Sequence, residues 1–232
     1  VVDGIFVSNF AGKTAFAAVN LIMPYVMVFG TLGFMLGTGG TALVSMTMGA
    51  GDRKKANELF SLLTYTAIVG GIALTILSMV FMRPAAKLLG GQGQMLEDAV
   101  LYGCIVQTAL PAYILQFAFQ SFCVAAEKPN LSLTMTIVSG CTNIVLDALF
   151  VGLFRWGLVG AAVATAFAQI LGAVIPLLYF ARENKSLLKL GRCSLDVKAL
   201  LRTAANGSSE LMSNLSMSLV SMLYNLQLMA HA

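Results

Sequence analysis

Three acidic residues of this 232-residue chain lie within apolar runs, and they are the groups with chemistry to offer: Asp3, Asp147 and Glu210. Asp147 stands near the end of the run Leu131 to Gly152, and Asn143 lies four residues earlier on the same helical face. After a turn built on Arg155, Trp156 and Gly157, the next apolar run carries Thr165 and Gln169 among small residues. Carboxylate, amide and hydroxyl oxygens together are hard donors of the kind Na⁺ accepts, and the carboxylate alone could carry a proton instead. Out of water such an acid is costly, and inside membranes it marks an ion or proton pathway or sits, more plainly, as an interfacial cap. Other chemistry has little material. The single histidine, His231, stands one residue from the end, and the cysteines at 104, 123, 141 and 193 form no CxxC pair, so neither metal nor disulfide is implied.

The composition says what must position these groups. With 58% hydrophobic and 10% charged residues and a mean hydropathy of +0.86, the chain is far from a soluble domain, in which about a quarter of residues are charged. It reads as an all-α polytopic membrane protein. The net charge of +4 comes from basic residues between apolar runs, so the lipid bilayer is the expected partner and nucleic acid is not. The chain opens at Val1 in what reads as the last turns of a first span, and it stops just past an apolar run, so a longer protein is expected. The second run, Ala15 to Gly49, exceeds the ~20 residues a span needs, with Pro24 and the Gly37, Gly39, Gly40 cluster to bend or pack it. GAGDRKKANE follows as a charged loop, and Phe60 to Met82 is a third span. Arg83 to Asp98 reads as a connection, and Val100 to Ala126 as a span kinked at Pro111. Leu131 to Gly152 and Gly157 to Ala181 are the fifth and sixth spans, and a seventh begins near Ala204.

Polar residues in these spans fall in stripes. Ser132, Thr136, Ser139, Asn143 and Asp147 occupy a band roughly 80° wide at 100° per residue. Gln116 and Gln120 share one face of the kinked span, and Asn206, Glu210, Asn214 and Ser218 recur every four residues in the seventh. Glu210 also reads as an acid near a helix start, favoured by the helix dipole, and Thr165 as a hydroxyl bonded back to its own helix. Lys and Arg number ten in the loops after spans two, four and six, against four in the others. That excess places the even loops, including 182–203, in the cytoplasm with the N-terminus, and turns the Asp147 end outward.

VVDGIFVSNFAG, GTGGTALVSMTMGAGDRKKANE, EKPNLS, TNIVLDALF and GLVGAAVATAFAQ together resemble the MATE family of multidrug and toxic compound extrusion transporters, over essentially the whole chain. The resemblance implies a twelve-helix antiporter of two six-helix lobes. Residues 1–181 would form the first lobe with its first helix truncated, 182–203 the loop between lobes, and 204–232 the first helix of the second. It would export small amphipathic or cationic organic compounds across a plasma membrane, bacterial by expectation, in exchange for Na⁺ or H⁺, with no other cofactor and as a monomer. By the same resemblance Asp3, Asn143, Asp147 and Thr165 would form the cation site, with Na⁺ held at Asp147, Asn143 and Thr165. Glu210 matches an acid used by some members, and Gln116, Gln120 and Asn214 join it as candidates for the substrate cavity.

Three rivals stand beside that expectation. A lipid-linked oligosaccharide flippase of the same superfamily would line its cavity with basic residues, and no Lys or Arg falls within a span. A membrane-embedded enzyme would need an Asp-rich or His-Asp cluster at a membrane face, which the sequence lacks. A non-transporting membrane subunit is the third.

Overall fold

The computed structural model describes residues 4, 6–182 and 186–230, and all regular structure among them is helical. Asp3 lies outside the described residues. A π-helical segment, Val7–Ala11, leads to α1 (Lys13–Gly49), α2 (Arg53–Leu88), α3 (Gly93–Thr108), α4 (Leu110–Ala125) and α5 (Pro129–Asp147). A second π-helical segment, Ala148–Leu153, extends α5, and α6 (Gly157–Ala181) and α7 (Val197–Ala230) complete the order.

Among the described residues α1, α2, α6 and α5 with its π extension are each long and apolar enough to cross a membrane, and α3 with α4 do so as one span bent by 55°. The break falls at Ala109, with Pro111 in the first turn of α4, so the kink sits where a proline needs no amide hydrogen. α7 is long enough to span but less apolar, because the polar stripe through Asn206, Glu210 and Asn214 dilutes it.

The charged sequence after α1 is not a loop. Asp52 accepts a hydrogen bond from the Lys55 amide at 3.0 Å and starts α2 at Arg53, so most of the basic stretch is helical. Asp196 likewise accepts from the Ala199 amide at 3.1 Å and starts α7 seven residues before the expected Ala204. At its other end α2 runs on through Arg83 to Leu88, and α3 begins at Gly93, so little of the expected connection remains.

α1 and α6 are central, with half of their most apolar stretch buried, whereas α2 and α5 bury 22% and 17% of theirs. Val69, Ile72, Ile76 and Val80 form the exposed ridge of α2, the face a bilayer would cover. Two packed regions share the interior. One, at the end holding the α1–α2 and α4–α5 turns, gathers Phe119 and the Phe60, Phe122 and Phe180 rings, with Phe60 5.1 Å from both Phe122 and Phe180. The other, toward the opposite end, joins Ile22, Met82, Tyr102, Val151 and Ala161.

α1 crosses α7 with backbone on backbone. A Cβ at Gly39 would lie 2.0 Å from the Thr203 carbonyl oxygen, and one at Gly207 would lie 2.2 Å from that of Met35. Only glycine permits such an approach, so the Gly37, Gly39, Gly40 cluster is a packing device rather than a bend. The segment before α7 is laced to α2: the Lys189 amide donates to Asn57 Oδ1 at 2.9 Å and the Gly191 amide to Ser61 Oγ at 2.9 Å, while Leu188 is buried.

Candidate cation site and the adjoining cavity

α5 and α6 run antiparallel and bring the inner part of the polar stripe against the small-residue face of α6. Ser139 Oγ donates to the Ala168 carbonyl at 2.8 Å, and one turn along Asn143 Nδ2 donates to Thr165 Oγ1 at 3.4 Å. These two bonds set the register of the pair. One further turn along, at the junction with the π-helical segment, Asp147 is fully buried at 0% exposure.

The π segment places that carboxylate. Its wider winding lets Phe150 approach α6 at Gly160, where a Cβ would lie 3.0 Å from the Phe150 backbone carbon. Phe150 also stacks on Trp156 at 5.0 Å, so the turn before α6 is pinned by aromatic contact. The Val7–Ala11 segment packs against both α6 and Ala148–Leu153, so the first described residues abut the Asp147 end of the site. The stripe is not uniform: Thr136 is exposed and donates to its own helix at Ser132, whereas Ser139 and Asn143 bond across to α6 and Asp147 is buried.

The carboxylate of Asp147, the amide of Asn143 and the hydroxyl of Thr165 are hard oxygen donors that suit a small cation. With its amide hydrogen directed at Thr165, Asn143 keeps its carbonyl oxygen available, and Thr165 keeps a second lone pair. Thr165, read as a hydroxyl bonded back to its own helix, also accepts this contact from the neighbouring helix. Gln169, one turn past Thr165, has a buried carboxamide oxygen that accepts no hydrogen bond among the described residues. In the sequence its only signal was the four-residue spacing from Thr165 in an apolar run.

Apart from this pair, α1, α4 and α7 line an open cavity of about 630 Å³. Phe34, Tyr113 and Phe117 form one wall, with ring centroids 4.1 Å apart for Phe34 and Phe117 and 4.7 Å for Tyr113 and Phe117. Met23, Met27 and Met217 are further apolar lining, and Asn20, Asn214, Ser218 and Asn225 are polar without charge. Asn225 Nδ2 donates to the Asn20 carbonyl at 3.0 Å, which ties α7 to α1 at this end of the cavity.

Of the residues expected to line a substrate cavity, Asn214 lines this one. Gln116 instead lies against α6, its amide carbon 2.7 Å from where a Gly172 Cβ would be. Gln120 follows it on the same face of α4, and neither is part of the lining. Glu210 is half-buried, outside the lining and well inside α7, which removes its reading as a helix-start acid. The aromatic wall carried no sequence signal beyond apolar composition, since only the bend at Ala109 and the α1–α4 crossing bring it together.

The comparisons with known proteins agree with this architecture. The chain is 29% identical over 171 residues to the multidrug export protein MepA of Staphylococcus haemolyticus, covering 74% of this chain and 38% of that one. It is 27% identical over 168 residues to MepA of Staphylococcus aureus (strain MRSA252), covering 72% and 37%. The chain thus spans well under half the length of these relatives. Among solved structures, an inward-facing multidrug resistance MATE family transporter superposes with a TM-score of 0.90 at 22% identity, over 95% of this chain and 50% of that one. An outward-facing structure of such a transporter gives 0.86 at 23%, over 94% and 48%. These likenesses establish an all-α transporter fold, and the relatives are transporters rather than enzymes. The MatE family model matches residues 1–149, more than half of the chain, and this protein therefore belongs to the MatE family.

Proposed function

We propose that this chain forms the cation-coupled lobe, with the first helix of the facing lobe, of an antiporter that exports amphipathic or cationic organic compounds across a plasma membrane. The observation that carries the proposal is the fully buried Asp147 one turn from the Asn143–Thr165 bond, at a π-helical junction. Occupation of Asp147 by Na⁺ or H⁺ neutralises the site and favours one packing of the Val7–Ala11 segment, α5 and α6. Substrate in the cavity favours the other, and linkage between the two gives exchange. Asp3 on the preceding segment is a further proposed ligand. The neutral aromatic and methionine wall suits a flat organic cation, which it would hold by cation–π and sulfur contacts. The same neutrality fits poorly with a phosphate-bearing lipid-linked sugar. The connections after α1, α4 and α6, the last of them ending at the Asp196 cap of α7, are assigned to the cytoplasm, and the protein is taken to act as a monomer.

The test is dye efflux from proteoliposomes holding the natural full-length protein, under separately imposed Na⁺ and pH gradients. Asp147→Asn, which keeps the shape and removes the charge, is expected to abolish gradient-driven efflux. Efflux at the unaltered rate would sink the proposal.

A further inference from the structure

We propose that Gln169 forms a second station for the coupling cation, one helical turn past the Asn143–Thr165 pair, and that the cation it serves is Na⁺. The proposal rests on the reading of Asp147 as the first station. Four observations support it. The Gln169 carboxamide oxygen is buried and accepts no hydrogen bond among the described residues, a state that leaves a strong acceptor unused. The Ser139–Ala168 and Asn143–Thr165 bonds fix the register of α5 on α6, so Gln169 follows Thr165 along the same interface, about 6 Å further on. Side chains of a helix lean toward its N-terminus, so Gln169 leans back toward Thr165, and Asp147 on the antiparallel α5 leans toward Asn143. Finally, Gln116 of α4 packs its carboxamide against Gly172, three residues beyond Gln169 on α6, so a second amide enters the bundle within one turn of it.

The oxygens thus form a file rather than one sphere: Asp147, then Asn143 with Thr165, then Gln169 with Gln116. Asp147 lies two turns from Gln169, too far for one ion to touch both, so the ion moves between stations. The chemistry of the second station selects among cations. A neutral carboxamide oxygen is a hard donor for Na⁺ but is not basic enough to hold a proton near neutral pH. A proton-driven protein could use Asp147 and would gain nothing from Gln169.

The experiment measures ²²Na⁺ binding to the purified full-length protein, together with efflux driven by Na⁺ or by a pH gradient. Gln169→Met keeps the side-chain length and removes the oxygen; Gln169→Glu keeps an oxygen and guards against a folding defect. Gln169→Met is expected to weaken Na⁺ binding roughly tenfold or more, as loss of an interaction with a charged group does, and to slow Na⁺-driven efflux in step. Gln169→Glu should retain binding. Unaltered Na⁺ affinity in a folded Gln169→Met protein overturns the second station alone, and so does a wild-type protein that binds no Na⁺. Asp147→Asn with undiminished Na⁺ binding and efflux instead overturns the first station, and with it the reading on which this one stands.

Discussion

The glycine crossing of α1 and α7 offers a perturbation whose size follows from geometry. Gly39→Ala would place a methyl group 2.0 Å from the Thr203 carbonyl oxygen and 2.7 Å from the Gly207 amide nitrogen, both backbone atoms that no rotamer change can move. Relief to an ordinary contact requires the helices to part by about 1.4 Å or more, and overpacking of that kind costs about 1–3 kcal/mol. Alanine also raises helix propensity by about 1 kcal/mol relative to glycine, but α1 is helical in either packing, so that term cancels between them. At about 1.4 kcal/mol per tenfold, the closed crossing is disfavoured by a factor of roughly 5 to 150. Spin labels at Met46 and Leu201, both exposed on the two helices near this crossing, report the separation in a cysteine-free background. The expected result is a shift of the distance distribution to longer values in Gly39→Ala, with slower efflux. An unchanged distribution and unchanged efflux would refute the inference that this crossing must close fully.

Two further outcomes are expected. Replacing Tyr113 and Phe117 with Ala removes most of the aromatic wall and should weaken binding of a flat cationic dye by roughly 10-fold, given about 0.5–2 kcal/mol per cation–π contact, while Na⁺ binding stays as it was. Asn57→Ala removes the acceptor for the Lys189 amide and should speed limited tryptic cleavage after Lys189 and Arg192 several-fold, with thermal stability falling by no more than about 1 kcal/mol.

Hydropathy and residue spacing carried most of the helix order, because apolar runs of span length have one low-energy fate in lipid. The α6 bounds, Gly157 to Ala181, were legible to the residue, since φ is +56° at both Arg155 and Gly157 and only a short turn fits there. The starts of α2 and α7 were not, because hydropathy is blind to helix that extends beyond the bilayer, and the caps at Asp52 and Asp196 lay in stretches that read as charged loop. The site was legible where it depends on one helix, as with Asn143 and Asp147. It was illegible where it depends on which helices meet. The orientation of Gln116 toward Gly172, the Tyr113–Phe117 wall and the isolation of Thr136 all follow from rotation of helices about their axes, which periodicity leaves undetermined.

The hydrogen bonds that lace Lys189 and Gly191 to α2 also set a length. Only the stretch from Gly191 to Asp196 is left to run from that anchorage to the cap of α7, and such a stretch extends at most about 18 Å at roughly 3.6 Å per residue. It is a leash on α7 and on anything that moves with it. However the packing of α1 against α7 changes, the near end of α7 swings within that radius of α2, and any wider excursion must first strip the segment from Asn57 and Ser61.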